Sequence, residues 1–143
     1  MAAVVGRVVL VVCGVLAVVG GAMLTLMVVL YFGADDYVPE LNEIGGWGII
    51  AGMCGLAIHV AGVVRAHVVL RVVAGVGAAV AGIVAATVVA TVVSLAGDRG
   101  GERGTLEDGA NGFLWLLAGA YFVWRAATGR WPARRKAEHA NSA

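Results

Sequence analysis

The sequence predicts an all-α integral membrane protein, a bundle of four transmembrane helices. Three observations predict it. Of 143 residues, 61% are hydrophobic and only 13% charged, with a mean hydropathy of +0.93; a soluble domain carries about 25% charge. The apolar residues gather into runs long enough to cross a bilayer. The charges between those runs sort by sign. The same composition excludes a disordered chain, which needs high charge and few apolar residues. Two cysteines exclude a disulfide framework and a cysteine-based zinc site. A net charge of +1 speaks against a nucleic-acid partner. The expected partner is the lipid bilayer.

The first span runs over residues 8–32 without a charge. Its 25 residues exceed the roughly 7–15 of a signal-peptide core, and no cleavage site follows, so it is read as a retained helix. The second span, 44–64, is interrupted only by His59. The third occupies 68–96. The fourth, 110–128, is weaker and ends near Arg125, which must reach back to the headgroups. None of these runs alternates apolar and polar residues, as a transmembrane strand would. Valine is a poor helix former in water, but in lipid the backbone must satisfy its own hydrogen bonds, and that decides for helix. Residues 1–128 thus form the membrane domain. Residues 129–143 form a polar, basic tail in which Pro132 stops the last helix and Arg134, Arg135 and Lys136 cluster.

The connections fix an orientation. Asp35, Asp36, Glu40 and Glu43 lie between the first two spans. Asp98, Glu102, Glu107 and Asp108, against Arg99 and Arg103, lie between the last two. On the other side are Arg7, Arg65, Arg71, Arg125, Arg130, Arg134, Arg135 and Lys136, opposed by Glu138 alone. Basic segments are retained in the cytoplasm. Both termini and the turn at Arg65–His67 are therefore expected inside, and the two acidic loops outside, in the cytoplasmic (inner) membrane. The excess of Ala, Val, Gly and Arg suggests a bacterium with a G+C-rich genome. Tyr31, Phe32, Tyr37 and Trp47 fall near the outer interface, and Tyr121, Trp124 and Trp131 near the inner one, as amphipathic aromatics do. Trp115 falls inside the fourth span, to pack in the bundle or face lipid.

Lipid tails are as apolar as valine, so helices associate in a membrane through close contact at small residues. Each span carries glycines seven apart: Gly14/Gly21, Gly48/Gly55/Gly62, Gly75/Gly82 and Gly112/Gly119. That spacing holds a smooth stripe on one face of a left-handed bundle. Gly52, four residues after Gly48, adds to the second stripe. These glycines are the candidate helix-packing residues, on a shared seam. A faint repeat pairs Val8-Val9-Leu10 with Val68-Val69-Leu70, and Gly48/Gly55 with Gly112/Gly119, suggesting two helical hairpins in parallel orientation.

Chemistry is sparse. An ionisable residue inside a membrane is a functional candidate; no Asp or Glu lies inside a span, Arg71 and Arg125 stand at span ends on the basic side, and His59 is the one candidate set deeper. It is read as a polar packing contact or a pore-lining group; a second histidine at its depth, as haem ligation needs, is missing. Cys13 and Cys54 are read as buried, inert thiols. Thr25, Thr87, Thr91 and Ser94 can bond back to their own helix. The acidic loops match no calcium-binding spacing. The Gly97–Gly104 segment lacks the Gly-Lys-Ser/Thr of a phosphate loop. No catalytic site, cofactor or metal is expected. The function expected is that of a non-enzymatic membrane protein, an accessory or assembly subunit of a larger complex or a homo-oligomer. The alternative is a small pore or transporter for small or uncharged solutes, including a holin-like pore.

Overall fold

The computed structural model describes residues 2–34, 38–97 and 103–128. They form four helices: α1 (Ala2–Ala34), α2 (Pro39–Val63), α3 (Val68–Gly97) and α4 (Arg103–Ala127). Three of them, α1, α2 and α3, are long and apolar enough to cross a membrane. The fourth does not meet that standard: it is the least apolar and the most amphipathic of the four. The tail from 129 and the loop positions Asp35, Asp36, Tyr37, Asp98, Arg99 and Glu102 lie outside the described residues.

Local chemistry sets the ends. Pro39 opens α2, where its missing N–H costs nothing. Glu40 in the first turn complements the positive end of the helix dipole. At the far end Val64 turns extended (φ −67, ψ 124) while its N–H still donates to Val60 O at 3.0 Å. Three residues later α3 begins, its first bond running from Arg71 N–H to His67 O at 3.1 Å. The Arg71 side chain reaches back, and its Nε donates to Ala61 O at 2.7 Å. A cation thereby occupies an orphan carbonyl at the negative end of α2. Thr128 closes α4, its Oγ1 donating to Trp124 O at 3.0 Å and to Arg125 O at 3.2 Å.

The helices pack in a ring: α1 on α2, α2 on α3, α3 on α4 and α4 on α1. The most extensive interface joins the first helix to the last. Across the diagonal α2 touches α4, and α1 does not touch α3. Leu10, Phe122 and Ala126 form the buried core cluster, with Leu56, Ile58 and Ala118 against it. Trp115, 4% exposed, packs inside the bundle. The outside is apolar. On α3, Val68 and every fourth residue as far as Val92 is a valine more than half exposed, a continuous ladder that water would not tolerate and lipid solvates.

The repeated tripeptides have unlike surroundings. Leu10 is fully buried, whereas Leu70 is 57% exposed. The repeated glycines are partly alike: Gly48 on α2 and Gly112 and Gly119 on α4 lie against α1, whereas Gly55 lies first against Phe122 of α4 and then against Cys13 of α1.

Candidate functional site

The glycines divide among several contacts. Between α1 and α4 they meet in antiparallel register. A Cβ at Gly14 would stand 2.9 Å from Gly119 O, and one at Gly119 would stand 2.5 Å from Gly14 O. One turn-pair away, Gly21 lies against Gly112 O and Leu116 N, and Gly112 against Leu24 and Gly21 O. A side chain at any of these positions would strike main chain, which cannot swing away. Between α1 and α2 the closest approach is Gly20 against Gly48, backbone on backbone. Gly52 receives the Trp115 ring and Gly55 the Phe122 ring, so two glycines of α2 admit aromatics of α4 across the diagonal. On α3, Gly75 faces Ala57 O and Ala61, while Gly82 faces Leu56. Gly62 is half-buried near the end of α2.

Three further close glycines fall outside the candidate packing residues: Gly20, Gly109 against Val28, and Gly45 against Leu24, although Gly45 stands seven residues before Gly52. The adjacent pair Gly20-Gly21 was the available signal. Two neighbours on a helix point about 100° apart, so the pair marks two packed faces.

His59 is half-buried in an aromatic cluster that joins α2 to α4. Its ring meets Tyr121 edge-on at 5.5 Å and lies tilted against Phe122 at 6.0 Å. Tyr121 in turn contacts Trp124 at 6.1 Å. Arg125 stands close enough to act electrostatically on His59. It is half-buried, and its Nε, sealed from solvent, has no hydrogen-bond acceptor among the described residues. The sequence places Arg125 only at the membrane boundary, because nothing in the chain's order pairs it with a residue sixty-six positions earlier.

At the opposite end Thr91 Oγ1 donates to Glu107 Oε1 at 3.1 Å, tying α3 to α4. The charged first turns of α4 were expected to be loop. They are helix, and Glu107 reaches a hydroxyl two turns inside the end of α3. Next to it Asp108 is half-buried, and burial, then the neighbouring Glu107, push its carboxyl above the usual carboxylate range. Thr25 and Ser94 bond back to their own helix, to Gly21 O and Thr91 O, each at 2.9 Å.

Both cysteines carry free thiols and line one groove between α1 and α2. They were expected to be buried. Cys13 is half-buried and Cys54 is exposed, because Cys54 lies beside the α1-facing glycines and not among them. Among the described residues no three His, Cys, Asp or Glu side chains gather where they could hold a metal. Comparison with protein-family models, with curated proteins and with solved structures gives no match.

Proposed function

We propose that the chain crosses the membrane four times and serves as a non-enzymatic assembly unit, associating with itself or within a larger membrane complex. Support for the fourth crossing comes from α4's partner. It lies antiparallel on α1 from Gly109 beside Val28 to Ala126 beside Leu10. The stretch of α1 from Leu10 to Val28 rises about 27 Å at 1.5 Å per residue, close to the ~30 Å of a hydrocarbon core. A helix lying along that length shares its depth. Phe113, Leu117 and Trp124, each about half exposed, give α4 an apolar outer face suited to lipid.

One observation carries the assembly reading. Gly77 is exposed, and a Cβ there would meet nothing within 4 Å. Ala81, one turn on, is also exposed. The chain's own packing uses neither, yet they form a small-x-x-x-small pair on the outward side of α3, where another helix can approach closely. Crosslinking in native-composition bilayers, followed by mass analysis, tests this. Wild type should yield dimers or higher species. Gly77→Leu with Ala81→Leu should reduce them without unfolding the chain, since both sites are open. A monomer with no co-purifying partner would refute the proposal.

The pore alternative gains less. Phe122, 2% exposed, fills the bundle beside His59, so His59 does not face an open channel within one chain.

A further inference from the structure

Between α3 and α4 runs an open groove of about 240 Å³ that the helix packing leaves unfilled. Its floor is Leu56 of α2, and its walls include Gly82 and Ala86 on one side and Leu114 and Ala118 on the other. The lining is almost wholly carbon.

The groove has a direction. On α4, Leu114, Ala118, Tyr121 and Arg125 fall at i, i+4, i+7 and i+11, a single stripe. On the floor, His59 lies one turn beyond Leu56 and packs on Tyr121. On α3, Arg71 sits toward the same end, exposed and anchored by its bond to Ala61 O. From Leu114 to Arg125 the stripe covers about 16 Å, the depth of one leaflet of a ~30 Å core.

Charge points to the occupant. This end holds Arg7, Arg65, Arg71 and Arg125, and no Asp or Glu among the described residues; Glu40, Glu43, Glu107 and Asp108 all lie at the other end. Arg125 is only half-buried, so part of its side chain stays open at this end, and a guanidinium matches phosphate oxygens in geometry and charge. Basic pockets between transmembrane helices suit anionic headgroups. We propose that this groove seats one anionic phospholipid of the leaflet at the arginine-rich end, an acyl chain lying along Leu114 and Ala118 and its phosphate held by Arg125, with Arg71 adding charge at the rim.

Native mass spectrometry of the full chain, released from phosphatidylcholine vesicles containing phosphatidylglycerol, tests this. The expected result is one retained phosphatidylglycerol per chain, in preference to phosphatidylcholine. Arg125→Gln should lower that retention about tenfold, the scale of one charge-assisted hydrogen bond. Ala85→Leu, at an exposed groove-lining position, should lower it comparably with every arginine in place. Should Arg125→Gln fail to fold, Arg125→Lys, which keeps the charge but loses the planar fork, and Ala85→Leu still decide. Equal retention of both lipids, unchanged retention in Ala85→Leu, displacement by inorganic phosphate alone, or a groove filled by a second copy of the chain would each overturn the proposal.

Discussion

Gly20 and Gly21 stand side by side and serve different neighbours: Gly20 meets α2 at Gly48, and Gly21 meets α4 at Gly112. At such sites the absence of a Cβ sets how near two backbones come, and dispersion across that contact holds membrane helices together. Gly48→Leu should therefore destabilise the bundle by at least about 1–3 kcal/mol, the cost of overpacking a filled interface. Gly46→Leu, where a Cβ would meet nothing within 4 Å, should cost far less. Thermal unfolding of both variants in one detergent checks the contrast. Asp108 carries a second prediction. Burial raises its carboxyl pKa in the folded protein, so the folded state binds that proton more tightly than the unfolded state. Stability then falls as pH rises through the folded pKa and is recovered on acidification. Asp108→Asn should be more stable than wild type at neutral pH and should flatten that slope; a steeper slope in the variant would contradict the assignment.

At the scale of elements, α1 and α2 run antiparallel with Cys13 and Cys54 on one groove. A short, apolar bifunctional alkylating agent should join them within one chain, consuming both thiols with a single reagent mass. Two separately bound reagents would show the register to be wrong. Much of this level was legible in the residues. The charge-free run of α1 and the abrupt Arg65–His67 turn mark helix limits that differ from the observed ones by a few residues, whereas the opening of α2 at Pro39, five residues before the expected start, was missed. The helical start of α4 was not legible, because Arg103, Glu107 and Asp108 read as polar loop. In the fold this turn carries a long-range contact, Glu107 with Thr91, which no local pattern encodes. Likewise a seven-residue glycine spacing announces a smooth face but names no partner. Gly112 and Gly119 meet α1, whereas Gly52 and Gly55, chemically the same, take in Trp115 and Phe122. His59 was legible as the ionisable group set deepest in an expected span, with Arg71 and Arg125 nearer the span ends. Its companions Tyr121 and Arg125 were not, since they come from the far end of the chain.

At the scale of the whole molecule, the sign of charge separates the two ends of the described bundle. Glu40, Glu43, Glu107 and Asp108 lie at one end, with Arg103 beside them, and Arg7, Arg65, Arg71 and Arg125 lie at the other. With the positive-inside bias, reporters fused after Thr128 should be active in the cytoplasm, and reporters placed between α1 and α2 active on the opposite side. An external reporter after Thr128 would reduce the crossings to three. The valine ladder of α3 makes the same separation visible in solubility: Val76→Lys or Val84→Lys, both near mid-helix on the exposed face, should impair insertion, since a central charge costs about 2.5–3.5 kcal/mol on insertion scales.

The broadest interface in the bundle joins its first helix to its last, and α1 never meets α3. A ribosome delivers these partners in the least convenient order. Chains emerge at about 5–20 residues per second, so α1 waits several seconds in the bilayer with its Gly14/Gly21 face uncovered. In that interval a neighbouring nascent chain can take the place reserved for α4, which makes completion of α4 the step that separates a correctly paired chain from a mispaired one.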